Sequence, residues 1–281
     1  MWRPGRRKPM IQIKTETEIA VMRRAGLVVA RTLDTLRDAV APGVSTADLD
    51  RIAADALAVE GATSSFLGYN GFPKVLCTSV NAEIVHGIPN PRKKLREGDV
   101  VSIDFGAIID GYHGDAAITV PVGDVVPEVT ELLRVCEESL WHGFAAARLG
   151  GRLSDISHGV ETYVRAQPHP LKGSWGIVEE YVGHGIGTEM HQDPQVYNYA
   201  PKGPGRGPKL VKGLVLAVEP MVNLGTKATR VLADKWTVVT ADGAPSAHFE
   251  HTFTLTEEGP WVLTAFDGGA SRLGPMLAAA G

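Results

Sequence analysis

Two stretches of this chain, one in each half, repeat a pattern that a folding polypeptide cannot accommodate cheaply. Leu95-Arg96-Glu97-Gly98-Asp99-Val100-Val101-Ser102-Ile103-Asp104 aligns with Leu210-Val211-Lys212-Gly213-Leu214-Val215-Leu216-Ala217-Val218-Glu219. The leucine, the glycine, the apolar triplet and the final carboxylate coincide. Further on, His113-Gly114-Asp115-Ala116-Ala117-Ile118-Thr119-Val120 aligns with His248-Phe249-Glu250-His251-Thr252-Phe253-Thr254-Leu255, which sets Asp115 against Glu250. Each half therefore offers two carboxylates on two apolar strands, in the same order. A carboxylate inside apolar surroundings is costly unless it is paired or binds a metal. One such hairpin alone reads as an aspartate capping a turn and another at a strand end. The repetition argues against that, because acidic residues recurring in apolar strands are not the mark of a packing repeat. Four acids brought together repel, so protons or metal ions must compensate them. Metal is the better expectation, since several neighbouring acids resist joint protonation at neutral pH.

The chain is long enough to bury a sizeable core: 281 residues, 44% of them hydrophobic, with a formal net charge of −4. That balance gives no case for nucleic acid as the main partner. Cys77 and Cys136 are the only cysteines and form no CxxC pair, which excludes a disulfide scaffold or zinc ribbon and fits a reducing cytoplasm. No apolar run reaches membrane-spanning length, so no membrane association is expected. Residues 1–13 begin with a basic segment that no apolar signal core follows. They are expected as a flexible, solvated arm, with transient contact to the ribosome or another acidic partner as the alternative.

Apolar residues Ile19, Met22, Gly26, Leu33, Leu36 and Val40 recur at helical spacing, predicting a helix over about 16–40 that Pro42-Gly43 stops. Ser45 or Thr46 caps a second helix through Leu49, Ile52, Ala56 and Leu57 to Gly61. The aromatic, glycine-rich run 64–73 reads as a pocket-lining loop, 75–80 as a strand and 81–89 as a turn carrying His86. The acidic hairpin follows, with Asp110-Gly111 as its turn. Then the order repeats. Pro127 opens a long helix, Gly150-Gly151 ends it, and Ser154 caps another to about Arg165. Two α/β halves related by approximate two-fold symmetry are expected, the acidic cluster between them.

Gly183-His184-Gly185-Ile186-Gly187-Thr188-Glu189-Met190-His191 supplies histidines in a backbone that glycine opens to close approach. Neutral histidine is a common metal ligand. His113 and His248 align in the repeat but read as structural neighbours, because the carboxylates already account for that match. A mixed oxygen and nitrogen set suits a pair of Mn, Fe, Co or Zn ions, and a two-metal centre that polarises a carbonyl does hydrolytic chemistry. The serine nucleophile motif, the Walker loop and the dinucleotide fingerprint are absent from the sequence.

Taken together, Asp104, Asp115, His184, Glu219 and Glu250, with Asn81-Ala82-Glu83-Ile84-Val85-His86-Gly87-Ile88-Pro89 and Glu219-Pro220-Met221-Val222, closely resemble the type I methionine aminopeptidases, over about residues 14–257. The resemblance implies an α/β (α+β) pita-bread fold with internal pseudo-two-fold symmetry around a dinuclear metal site. Its halves would be about 14–122 and 123–260 of one catalytic domain, with 261–281 as a C-terminal tail. The implied activity is removal of the initiator methionine from nascent polypeptide N-termini when the second residue is small. A metal-bridged water would attack the scissile carbonyl, with Glu219 as proposed general base.

Asp104, Asp115 and Glu250 would hold one ion, Asp115 and Glu250 bridging to a second completed by His184 and Glu219. His86 would meet the substrate near its scissile amide, and His191 its carbonyl oxygen. Tyr69, Phe72, Cys77 and Trp236 match the methionine pocket. Asn81 and Ser246 resemble a monovalent-cation site. Phe66 stands where a cysteine is frequent, and Met190 where a phenylalanine is. The short interval between His191 and Glu219 leaves no room for the helical insertion of type II enzymes. The resemblance points to a monomer. The rivals are a proline-directed peptidase, which usually carries an extra N-terminal domain, and a catalytically dead binding protein, which typically loses ligands retained here.

Overall fold

The computed structural model describes residues 10–201 and 205–279, so residues 1–9 of the expected basic arm lie outside the described residues. Helix α1, Glu16–Ala39, starts at a capping box in which Glu18 N–H donates to Thr15 Oγ1 and Thr15 N–H to Glu18 Oε2. Its apolar stripe, Ile19, Met22, Ala25, Val29, Leu33 and Leu36, is buried. Helix α2, Thr46–Glu60, is capped by Ser45 with Asp48 and ends at Gly61 in the left-handed conformation (φ 62°). Strand β1 covers only Cys77–Val80. The expected start at Val75 is lost because side chains occupy its backbone: Val75 N–H donates to Asp50 Oδ1 and Ser64 Oγ donates to Val75 O.

Strands β2, Val100–Ile109, and β3, Tyr112–Pro121, form the expected hairpin. Its turn residues Asp110 (φ 47°) and Gly111 (φ 81°) are both left-handed, as a two-residue turn matched to strand twist requires. Helix α3, Pro127–Ala146, opens on its proline. Helix α4, Leu153–Ala166, departs from expectation at its start: the cap is Arg152, and Ser154 lies inside the first turn with its hydroxyl unpartnered. The loop before Val215 has taken the capping role. Leu153 N–H donates to Pro208 O and Ser154 N–H to Arg206 O, while Asp155 Oδ2 accepts from Arg152 N–H.

The remaining elements that bear on the site are β4, Gly183–Gly185; β5, Gln192–Val196; β6, Val215–Val218; β7, Met221–Asn223; β8, Ser246–His248; β9, Glu250–Thr256; β10, Gly259–Val262; and α5, Ala270–Ala278. The main nine-stranded sheet runs β2-β3-β9-β6-β4-β5, with β1 and the two-residue strand Thr63–Ser64 added to β2 and β10 to β9. The repeated strand pairs β2-β3 and β6-β9 thus meet at the β3·β9 seam in the middle of the sheet, which is the expected two-half arrangement. Within the segment set apart as a C-terminal tail, the described residues 261–279 are packed on the domain. Strand β10 crosses its boundary, and α5 buries Leu273 and donates Arg272 Nη2 to Glu138 Oε1 on α3. At the other end, Ile13 bridges Leu214.

Helix α1 lies unusually close to the hairpin because two glycines face each other. A Cβ on Gly114 would stand 2.8 Å from Gly26 N, and one on Gly26 would stand 2.3 Å from Leu263 O. Gly26→Ala is therefore expected to cost about 1–3 kcal/mol as an overpacked site, read as a lower calorimetric melting temperature. Gly274→Ala, whose Cβ meets nothing within 4 Å, is expected to leave stability unchanged or raise it. Equal melting temperatures for the two variants would rule this packing account out.

Candidate metal centre

Strand register explains how distant acids converge. Cys77 on β1 opposes Asp104 on β2; Asp104 opposes Ala117 on β3; Ala117 opposes Glu250 on β9. Residues in one cross-strand row point to the same face, and so do residues two apart on a strand. Asp115 therefore joins the face of Ala117. Beyond β9, His251 opposes Val218 at the end of β6, so the next residue, Glu219, falls beside Glu250. His184 opposes Ala217, two residues from Glu219, and shares its face. His251 alternates to the opposite face, where its Nδ1 meets Thr264 Oγ1 and its ring packs on Trp141.

All five sequence-predicted ligands reach this one face. Donor atoms of Asp115, His184 and Glu250 lie within 4.8 Å of one another, and so do those of Glu219, His248 and Glu250. Asp104 stands at the edge of these groups, half-buried. Backbone anchors hold the set. Thr252 Oγ1 donates to Asp115 O and accepts from Asp115 N–H, and Asn198 Nδ2 donates to Glu219 O. His184 Nδ1–H donates to Gly185 O, which leaves Nε2 with its lone pair 3.6 Å from Glu219 Oε1 and 4.0 Å from Glu250 Oε1.

The electrostatics are those of a site that needs positive charge. Burial pushes the Asp115 carboxyl up to about 7. Burial, reinforced by the Asp115 charge, raises Asp104 well above the usual carboxylate range. Glu219 and Glu250 rise for the same reason, burial first and the neighbouring acids second. Burial drives His184 well below its ordinary value, so its imidazole is neutral. Asp104 Oδ1, Asp115 Oδ1 and Glu250 Oε1 are buried without a hydrogen-bond partner among the described residues. Buried acceptors facing one another with no donor between them fit divalent cations, and the mixed carboxylate and imidazole set fits Mn, Fe, Co or Zn.

Beside the acids lies an apolar cluster. Phe66, Phe72, Cys77 and Met190 are buried in it, with Tyr69, Ile88 and Trp236 packed at its rim. Phe72 and Trp236 meet edge-on, their ring centroids 5.1 Å apart. The four pocket residues read from the sequence are thus together, and Ile88 is an addition. Cys77 and Cys136 are both free and buried, and burial raises the Cys77 thiol well above its usual value, which makes it a packing group rather than a nucleophile.

His86 and His191 flank the acids on the pocket side. His86 adopts a left-handed backbone (φ 61°) that sets its ring edge-on to Tyr181 and Trp236. His191 Nδ1 is 2.7 Å from the Tyr69 hydroxyl, and its ring lies 4.3 Å from that of His184. Asn81 and Ser246 are neighbours, since Ser246 N–H donates to Asn81 O, while the Asn81 amide is engaged by Asp99 and Val100. Sequence reasoning missed His248, whose Nε2 lies 3.7 Å from Glu219 Oε2 and 3.9 Å from Glu250 Oε2. Its alignment with His113 was visible, but His113 turns to Ser65 instead, so the match itself carried no ligand signal.

Comparison with known proteins agrees with this geometry. The sequence pattern of metallopeptidase family M24 matches residues 20–257, and the chain belongs to that family. Within it, the chain is 50% identical over 255 residues to a methionine aminopeptidase of Clostridium acetobutylicum, covering 91% of this chain and 99% of that one. It is also 50% identical over 255 residues to methionine aminopeptidase 1 of Bacillus subtilis. The crystal structure of the methionine aminopeptidase of Thermotoga maritima superposes with a TM-score of 0.86 at 41% identity, covering 91% of this chain and 99% of that one. A prolidase of Pyrococcus furiosus, at 20% identity and a TM-score of 0.68, shares the pita-bread fold alone.

Proposed function

We propose that the protein is a methionine aminopeptidase that removes the initiator methionine from nascent chains whose second residue is small. The observation that carries this reading is a row of buried, unpartnered carboxylates running directly into an apolar slot, with Cys77 and Asp104 as facing residues of one register. Relatives at 50% identity over nearly their whole length are named for this activity. In this reading Asp104, Asp115 and Glu250 hold one divalent ion, and Asp115, Glu250, His184 and Glu219 hold a second. A bound ion pair supplies Lewis acidity and lowers the pKa of water near the scissile bond.

The chain's own residues do the rest. Tyr69, Phe72, Cys77 and Trp236 take the methionine side chain, an unbranched thioether that fills an irregular aromatic slot. Glu219, its side chain only 14% exposed beside the other buried acids, receives the proton of the attacking water. His191 donates a hydrogen bond to the carbonyl oxygen as negative charge develops there, and the Tyr69 hydroxyl at 2.7 Å fixes its ring. His86 contacts the scissile amide. The same reading makes the enzyme a cytoplasmic monomer whose catalytic unit is 14–260 with α5 docked on it. Transient contact with the ribosome belongs to the same reading. No helix among the described residues is long and apolar enough to cross a membrane.

The test is kcat/KM on X-Ala-Ser and Met-X-Ser peptides. Met-Ala-Ser is expected to exceed Val-Ala-Ser and Met-Arg-Ser strongly. Trp236→Ala is expected to lower the Met over Val preference by about 10- to 200-fold, the value of one apolar contact, with the ions retained. If Val-Ala-Ser or Met-Arg-Ser matches Met-Ala-Ser in the wild type, the methionine assignment fails, and a broader or proline-directed aminopeptidase replaces it.

A further inference from the structure

His248 stands in the same relation to the two glutamates as His184 does. His184 Nε2 faces the Oε1 atoms of Glu219 and Glu250 at 3.6 and 4.0 Å, and His248 Nε2 faces their Oε2 atoms at 3.7 and 3.9 Å. The His248 ring is buried, its residue 1% exposed, and neither nitrogen has a hydrogen-bond partner among the described residues. Polar nitrogens sealed from water in this way are rare and call for a reason. We propose that His248 is itself a metal ligand, coordinating through Nε2 beside Glu219 and Glu250. The proposal rests on the reading that this centre binds divalent ions, and it adds a second imidazole to the expected ligands.

Distances support coordination over a hydrogen bond. At 3.7 and 3.9 Å the ring nitrogen is too far from either carboxylate for a hydrogen bond. Donors held about 2.1 Å from one ion lie about 3.0–3.4 Å apart when adjacent and about 4.2 Å when opposite. The His248 separations fall within that span, as do those of His184.

The backbone also holds the ring in place. His248 N–H donates to Thr119 Oγ1, and Thr119 Oγ1 donates to His248 O, so one hydroxyl on β3 pins both backbone groups. Thr119 in turn meets Ser102 Oγ, and His248 pairs with Met221 across β7 and β8. The ring therefore points at the glutamates without having to be ordered by the ion. Chemically, a second imidazole moves the set toward nitrogen. Co and Zn should gain more than Mn, which prefers oxygen.

The experiment uses the full chain loaded with Co(II). Proton NMR resonances shifted by the paramagnetic ion count the coordinated imidazoles, and calorimetric titration gives the affinity. Two coordinated imidazoles are expected in the wild type and one in His248→Gln, whose Co(II) dissociation constant rises by about 10- to 100-fold or more. The Mn(II) constant is expected to rise less. One imidazole in the wild type, two persisting in His248→Gln, or an unchanged Co(II) constant would overturn the proposal. The wild-type count decides the matter even if the variant fails to fold. Co(II) bound with a single imidazole refutes only the role of His248, whereas no Co(II) bound at all refutes the metal centre too.

Discussion

Stripped of divalent ions by a chelator, the protein is expected to lose its activity on Met-Ala-Ser and to melt about 5–10 °C below its Mn-loaded form. An ion present at 100 times its dissociation constant stabilises the folded state by about 2.7 kcal/mol. A chain of this size shifts by about 2–4 °C per kcal/mol. Activity should return with Mn, Co or Fe salts.

The pH dependence has a definite sign. Asp115 is raised to about 7 in the fold, from 3.8, so between those values the folded state keeps a proton that the unfolded chain has released. Its contribution is fully present below about pH 4 and is lost as pH rises through about 7. Asp104, Glu219 and Glu250 are raised too and extend the loss upward. His86, His113, His191 and His251, held down to about 4 by burial, His248, held down to about 3, and His184 and His142, also lowered, act in the opposite sense. Their effect fades as pH rises through the ordinary histidine value of about 6.5. Lys14, lowered to about 8 by burial, also opposes the loss, and only near that value and above it. Between about pH 7 and 7.5, where the unfolded histidines are mostly neutral, the carboxylates therefore decide. The metal-free protein should become less stable across that window, and the loaded protein should not. A metal-free melting temperature that is flat or rising there, or full activity in protein shown to be metal-free, would sink the account.

Glu219→Gln is expected to lower kcat by about 100- to 10,000-fold, the usual contribution of a positioned general base, while free methionine still binds the slot. Glutamine keeps the shape and loses the proton acceptor. The histidines should divide. His184→Ala, which removes the nitrogen 3.6 Å from Glu219, should weaken metal binding. His191→Ala should leave metal bound and lower kcat by about 100- to 1,000-fold, the cost of one donor to developing charge. His86→Ala should likewise spare the metal. Metal content by plasma emission spectrometry and single-turnover rates separate the cases. Equal metal loss in all three histidine variants would refute the division, and a Glu219→Gln enzyme with wild-type turnover would refute the base.

Much of this protein is determined by local sequence. The α1 stripe from Ile19 to Leu36, the Ser45 cap, the Asp110-Gly111 turn and the Pro127 start follow from rules that act over a few residues. The acids were legible for a related reason. Asp104, Asp115, Glu219 and Glu250 each interrupt an apolar strand pattern, and the interruption recurs in the second half. Local rules failed where a distant segment satisfied the same backbone groups. Arg206 and Pro208 carbonyls displaced Ser154 from its cap, and Asp50 shortened the strand at Val75. Only the tertiary structure decided which residues meet at the centre. The β3·β9 pairing, which no local signal encodes, sets Glu250 opposite Ala117 and so into the row of Asp104. That same pairing aims His248 at the glutamates, while the ring of His113, its partner in the repeat, turns to Ser65. A strand's sequence tells which residues share a face, but the register with its neighbours tells which faces share a site.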